Sequence, residues 1–187
     1  MMKYLATLLT ITLYSFNSFA LELKVEPVYG FERTFQQTPK PSRYKTETFV
    51  GIRGTYGTEH FAGELEINQA HSAYSVGVIS TKTNTQNVLL GIRLMPFNKD
   101  FYNIFFRGGM RAKRESREIT QEGNSSVETD AIQYDPYAGS GITLNLGGLF
   151  SLNASATLVY NRDANPGEQY DSRYTFGAAF KFGNKSF

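Results

Sequence analysis

From Leu21 onward the apolar residues recur at every second position, which is the period of a β-strand, and no long stretch carries helical spacing. In the first segment Leu21, Leu23, Val25, Tyr29 and Phe31 share one face, while Glu22, Lys24, Glu26, Gly30 and Glu32 share the other. Val50, Ile52 and Tyr56 likewise oppose Gly51, Arg53 and Thr55; Phe61, Leu65 and Ile67 oppose Ala62, Glu64, Glu66 and Asn68. Val88, Leu90, Ile92 and Leu94 oppose Gly91 and Arg93, and Tyr102, Ile104 and Phe106 oppose Asn103 and Arg107. Tyr134, Ala138, Ile142 and Leu144 oppose Gln133, Asp135, Gly139 and Thr143, while Phe150, Leu152, Leu158 and Tyr160 oppose Ser151, Asn153, Ser155 and Thr157. In the last segment Tyr174, Phe176, Phe180 and Phe182 oppose Arg173, Thr175, Gly177 and Lys181. The pattern predicts an all-β chain of eight antiparallel strands running up and down.

Hairpins must bring like faces opposite each other, so the turns predict a register. A turn at Thr58-Glu59 places Tyr56 against Phe61, Ile52 against Leu65 and Val50 against Ile67, with Arg53 across from Glu64. Leu146-Gly147-Gly148 as a three-residue turn pairs Leu144 with Phe150, Ile142 with Leu152 and Tyr134 with Tyr160, with glycine where φ must be positive. A turn near Phe97 to Lys99 pairs Leu94 with Tyr102, Ile92 with Ile104 and Leu90 with Phe106. The other connections, 34–46, 70–86, 113–130 and 162–171, are long and polar. Ser72 to Ser80 reads as the protruding end of the third strand and its loop, because an even count returns both termini to one side.

Alternation fits a soluble carrier barrel as well as a membrane barrel. Three features favour apolar faces turned outward to lipid. Aromatics cluster at both ends of the apolar face: Tyr56, Phe61, Tyr102, Phe150, Phe180 and Phe182 near the short turns, Tyr29, Phe31, Tyr134, Tyr160 and Tyr174 near the long loops. Short turns then lie on one rim and long polar loops on the other. The polar face also balances its charges, with Glu22, Glu26, Glu32, Glu47, Glu64, Glu66 and Asp135 against Lys24, Arg53, Arg93, Arg107, Arg111, Arg173 and Lys181. Eight strands enclose only enough room for side chains, where an unpaired charge would cost several kcal/mol. The expectation is a plugged lumen with a network of Glu26, Arg53, Glu64, Glu66 and Arg107 near mid-height, serving as structural filling rather than an ion path.

Composition narrows the class further. The chain has 187 residues, 19 basic and 17 acidic side chains, two histidines and no cysteine or tryptophan. That excludes a disulfide framework and a thiolate metal site, and the scattered cations give no nucleic-acid footprint. Residues 1–20 have Lys3, an apolar run from Tyr4 to Tyr14, and Ser18-Phe19-Ala20 as a small-x-small cleavage site. We expect a secretory signal peptide at 1–20 and a barrel domain at 21–187, without room for a second soluble domain. The apolar run is shorter than the roughly 20 residues of a spanning helix.

Residues 175–182, TFGAAFKF, resemble the terminal-strand signal read by the outer-membrane barrel assembly machinery: polar Thr175, Gly177, and hydrophobic Phe180 and Phe182. The chain departs from that pattern by continuing to Phe187 after the final aromatic. As a pattern, 21–187 resembles the small OmpA-type outer-membrane β-barrel domain of Gram-negative bacteria. The resemblance implies a place in the cell outer membrane, contact with its lipid and lipopolysaccharide, and passage through the assembly machinery.

Catalysis has little to stand on. Only His60 and His71 could supply an imidazole; His60 falls in a turn beside Glu59, and His71 and Ser72, being adjacent on a strand, point to opposite faces. Glu64 and Glu66 share a face, but matching arginines make a structural network of them. No metal, cofactor or nucleotide motif is present. The leading expectation is a monomeric, non-enzymatic barrel with a structural or adhesive role carried by its loops, the longest from Arg111 to Asp135. The alternatives are a lipid A-modifying enzyme using His71, a small-solute pore and a soluble carrier.

Overall fold

The computed structural model describes residues 21–36, 43–76, 79–121, 124–162 and 169–182. The predicted signal peptide 1–20 and Phe187 lie outside the described residues. Nine strands form one antiparallel sheet: β1 (Glu22–Gln36), β2 (Arg43–Gly57), β3 (Phe61–Val76), β4 (Ile79–Asn98), β5 (Tyr102–Gln121), β6 (Asn124–Thr129), β7 (Gln133–Asn145), β8 (Phe150–Tyr160) and β9 (Tyr170–Phe182). Eight of them close into a barrel in the order β1, β2, β3, β4, β5, β7, β8, β9, sealed by the β1–β9 pairing. β6 pairs with the outer part of β5 alone, from Ser116 to Gln121. The fold is therefore the expected closed eight-stranded barrel with one added strand.

The register fixes the geometry of the cylinder. Leu23 pairs with Tyr56, then the ladder passes through Gly63, Ile92, Gly108, Ala138, Leu158 and Ser172, and reaches β1 again at Arg33. A full circuit is thus staggered by the ten residues that separate Leu23 from Arg33. Such a stagger tilts the strands and leaves an interior that side chains fill.

Apolar and polar groups are distributed inside out relative to a water-soluble protein. Ile52 is 61% exposed, Leu90 66% and Phe176 53%, whereas Arg53 is 1% and Glu66 0% exposed. β-Branched and aromatic residues suit the outer face of the strands, while small and polar residues fit the crowded interior. The outward apolar belt ends in aromatics at both rims. Phe150 and Phe180 meet at 5.6 Å near the short turns, and Phe31 with Tyr174 (5.0 Å) and Tyr160 with Tyr170 (5.5 Å) meet at the other end.

Faces follow the predicted alternation, but the three turn registers need correction. β2 and β3 pair Ile52 with Ile67, Arg53 with Glu66 and Tyr56 with Gly63, two residues away from the expectation. A two-residue Thr58-Glu59 turn would need positive φ at residues that resist it. Instead the Thr58 hydroxyl accepts from the amides of His60 (3.3 Å) and Phe61 (3.1 Å), and a wider loop results. β7 and β8 pair Leu144 with Leu152 and Ile142 with Ala154, because the turn reaches from Leu146 to Phe150. Gly147 (φ 99) and Gly148 (φ 58) both lie in the left-handed region. Gly147→Ala is expected to lower stability by about 1–2 kcal/mol, read as a shifted urea midpoint of the refolded barrel.

β4 and β5 pair Leu94 with Phe106, Ile92 with Gly108 and Leu90 with Met110, and the register slips between Leu94 and Phe97. Pro96 lies inside that bulge, where its missing amide costs no ladder bond. Met95 keeps the inward parity of Arg93, the slip turns Phe97 outward, and the Met95 amide donates to the His60 carbonyl at 2.8 Å.

The polar stretches 70–86 and 113–130 are largely strand, contrary to their reading as loops. β3 runs to Val76 and β4 starts at Ile79, so Ser72 to Ser80 is the protruding strand end and connection expected. β5 runs on to Gln121 and meets β6. Both faces of these extensions are polar, so no apolar alternation marks them, yet runs such as Thr81 to Thr85 have high strand propensity. Together β3, β4, β5 and β6 form a sheet that rises beyond the belt.

Candidate functional site

The lumen is the most elaborate constellation in the molecule, and the register assembles it. Glu26, Arg53 and Glu66 are direct cross-strand partners on β1, β2 and β3. Arg53 donates through Nε (2.9 Å) and Nη2 (2.6 Å) to Glu66 Oε2, and through Nη1 to Glu26 Oε1 at 3.2 Å. Arg93 and Arg107 lie opposite each other on β4 and β5, a repulsive pairing that Glu64 relieves. Glu64 accepts from Arg93 at 3.0 and 2.6 Å on one oxygen and pairs with Arg107 on the other. Glu66 completes the set by accepting from Arg107 at 3.2 Å, from Arg173 at 3.3 Å and from Asn68 at 2.8 Å. The structure thus brings Glu26, Arg53, Glu64, Glu66 and Arg107 together, with Arg93 and Arg173 joined to them.

A second tier lies toward the extended end. Arg111 donates to Glu32 and to Asp135, both at 2.6 Å, and Arg173 Nε is 3.4 Å from Glu32. Asp171, buried at 1% exposure and 3.7 Å from Arg111, belongs to this tier although the sequence reading passed over it. At the mouth, Arg117 bridges Glu115 (2.9 Å) and Asp130 (3.1 Å), and Lys113 stands 3.4 Å from Glu115. Burial alone would raise the Glu115 carboxyl, but Lys113 and Arg117 beside it hold it below the usual carboxylate range. At the short-turn end Lys24 pairs with Glu22 at 3.0 Å and Lys181 donates to Asn145 at 3.1 Å.

Aromatic side chains fill the space between the charges. Phe49 lies against Gly30 with the Arg173 guanidinium 4.3 Å above its ring, and Phe105 lies against Gly141 with Arg93 4.1 Å above. Tyr137 reaches Gly91, with Arg107 5.2 Å from its ring. Each glycine makes room for a ring, and each ring gives an arginine an electron-rich face. Sequence reading missed Phe49, Phe105 and Tyr137, together with Leu89 and Val159, all buried. Their parity places them among the polar inward positions, and for the three rings the inward glycines beside them were the available signal. Gly141→Val is expected to drive a branched side chain into Phe105 and cost about 1–3 kcal/mol, read from the unfolding midpoint.

The four residues expected to form a terminal-strand signal divide between the two faces of β9. Thr175 and Gly177 face the lumen, and a Cβ at Gly177 would stand 2.7 Å from Glu26 Cδ, so glycine there admits the Glu26 carboxylate. Phe180 and Phe182 point outward and end the apolar belt.

This arrangement neutralises charge rather than poising it. The carboxylates of the central tier are all matched by guanidinium groups, which suits a rigid plug and not an acid–base pair. His60 hydrogen-bonds the Met95 carbonyl at 3.2 Å and is 3.6 Å from Glu59 on the short-turn rim. His71 is exposed on the outer surface opposite Asn84, while Ser72 faces the other side of the sheet. No group of three or more His, Cys, Asp and Glu side chains that could hold a metal ion occurs among the described residues.

A closed eight-stranded cylinder with a charged, packed interior and an apolar exterior is the fold of small outer-membrane β-barrels. No family model and no curated sequence matches the chain. Among solved structures it is similar to Ail, the attachment invasion locus protein of Yersinia pestis, with 12% identity, a TM-score of 0.60 and coverage of 86% of this chain and 98% of that one. Neisserial surface protein A is similar at 9% identity and a TM-score of 0.58, covering 87% and 97% of the two chains. A major outer membrane protein of Thermus thermophilus is similar at 14% identity and a TM-score of 0.60, covering 87% and 100%. At such identities the likeness is one of fold.

Proposed function

We propose that this chain is an integral protein of the outer membrane whose lumen is a structural plug and whose β3–β6 sheet and neighbouring connections present a surface to partners outside the cell. The observation that carries the reading is the inverted packing, with Ile52, Leu90 and Phe176 on the outside and Arg53 and Glu66 sealed within. In water that exterior would be a large apolar patch; in hydrocarbon it is the favoured surface. The two aromatic rims supply interfacial anchors.

Residues 1–20 would direct export and be removed after Ala20, and Thr175, Gly177, Phe180 and Phe182 would present the last strand to the assembly machinery, as in the small OmpA-type barrels that the chain resembles. A surface-interaction role draws support from two neighbours, one named for attachment and invasion, the other named a surface protein. The paired lumen favours a non-conducting, non-enzymatic barrel.

Fractionation of expressing cells, with gel mobility compared before and after boiling, tests the membrane reading. The expected result is an outer-membrane protein whose unboiled form migrates faster; a soluble periplasmic pool would overturn it. Shortening the β5–β6 hairpin should abolish binding of cells to a surface partner while the heat-shifted band remains.

A further inference from the structure

Among the described residues β6 pairs with β5 alone, and all six of its residues are exposed. Which of its backbone groups are engaged follows from one bond. The Asp130 amide donates to the Glu115 carbonyl at 2.9 Å, one step below the pair of Ser116 with Thr129. Such bonds recur at every second residue of an antiparallel ladder, so Glu128, Ser126 and Asn124 turn their N–H and C=O groups toward β5. Ser125, Val127 and Thr129 turn theirs the other way, off the edge of the sheet. Sheets guard such a row with Pro, Lys, a bulge or a covering segment. β6 reads Asn-Ser-Ser-Val-Glu-Thr, keeps an unbroken register, and leaves Val127 70% exposed. Its one charge, Glu128, is the cross-strand partner of Arg117.

This edge is complementary to itself. Two copies of β6 turned antiparallel about Val127 set Val127 against Val127 and Ser125 against Thr129, so every N–H on one edge meets a C=O on the other. Ser126 then lies across from Glu128, and Asn124 across from Asp130, so no like charges stand directly opposite. The twofold axis that relates such strands is perpendicular to the sheet and reverses every direction within its plane. Because β4 and β5 carry the sheet up from the barrel wall without a break, that plane contains the barrel axis. The second barrel is therefore inverted. Two barrels in one membrane cannot meet this way, whereas barrels in two facing membranes can. Val127 pairs with Glu118, six residues along β5 from Ala112 at the edge of the belt, so the two belts stand at most about 40 Å apart.

We infer that β6 pairs edge to edge with β6 of a second copy of this chain in a facing membrane, which makes the protein its own partner between cells. The inference rests on the membrane placement and surface role proposed above. One such joint is small and weak; many copies between two apposed membranes supply its strength.

The test uses the full barrel on cells that lack long surface polysaccharide, so that membranes can approach. The chain has no cysteine, which lets introduced cysteines report the register. Cells making Ser126→Cys are mixed with cells making Glu128→Cys, each variant carrying its own tag. Mild oxidation should join the two tags in one disulfide-linked band, because these residues form a pair whose Cα atoms lie about 4.5 Å apart. Either population alone should give about ten-fold less of the band, since like residues then fall diagonally rather than opposite. Val127→Pro removes an N–H that β5 does not use and should lower the clustering of cells about ten-fold with the heat-shifted band intact. Val127→Thr keeps that N–H and should cluster as the wild type does. Cells that carry the barrel should not gather cells that lack it. Clustering with barrel-free cells would overturn the inference, as would equal cross-linking within one population or wild-type clustering by Val127→Pro. A heat-shifted wild-type band without clustering would defeat self-pairing and leave the membrane barrel standing; recovery in the soluble fraction would defeat both.

Discussion

A Glu66→Gln barrel is expected to unfold from lipid vesicles with about 3 kcal/mol less stability than the parent, measured by urea titration. Glu66 is fully buried and accepts from Arg53, Arg107 and Arg173. Gln keeps the volume and part of the hydrogen bonding but removes the one negative charge that those three guanidinium groups share. They cannot turn to water, because Arg53 and Arg173 are each 1% exposed. The penalty is therefore the desolvation of cations left short of a counter-ion, which exceeds the net worth of the pairs themselves. Exposed Glu59 offers the contrast: it is 3.6 Å from His60 on the rim, and Glu59→Gln should change stability by less than about 0.5 kcal/mol. Adding Arg107→Met to Glu66→Gln should recover part of the loss, since the double variant removes a stranded cation while Glu64, the other acid that Arg107 meets, keeps Arg93. Loss from Glu66→Gln no larger than from Glu59→Gln would mean that water enters the lumen.

Strand faces were legible in the sequence because a period of two admits no intermediate: one residue of slip would have put Ile52 inside and Arg53 outside. The same arithmetic explains what was not legible. Slips of two residues at Thr58 and Gly147 leave every face unchanged, so hydrophobic pattern cannot detect them, and they depend on how the Thr58 hydroxyl and two left-handed glycines shape the turn. The bulge at Met95-Pro96 does change parity, and Pro96 within an apolar run was its visible mark. Pairing of acids with bases followed from the small lumen, but which arginine meets which glutamate depends on register, so Arg53 lies across from Glu66 rather than Glu64. Asp171 and the inward rings escaped because an apolar or isolated residue at a polar parity carries no periodic signal. The sheet beyond the belt escaped for a related reason, since with water on both faces no alternation is required of it.

Orientation toward lipid makes the second large prediction. Leu90→Arg places a guanidinium on the outer face of β4, midway along the belt between Val88 and Ile92. In a bilayer that substitution should cost about 2–4 kcal/mol, while Gln86→Arg, on the same strand and face but at the polar rim, should cost about 0–1 kcal/mol. Both positions are exposed, Leu90 at 66%, so packing against protein cannot account for a difference between them. Only the depth of each residue in a surrounding apolar phase distinguishes the two. Measured by urea unfolding of variants refolded into lipid vesicles, a steep fall from Gln86→Arg to Leu90→Arg is the depth dependence that hydrocarbon imposes. A barrel that works in water would tolerate both equally, because an exposed leucine gives up little when a charge replaces it, and equal stabilities would place this apolar belt somewhere other than a membrane.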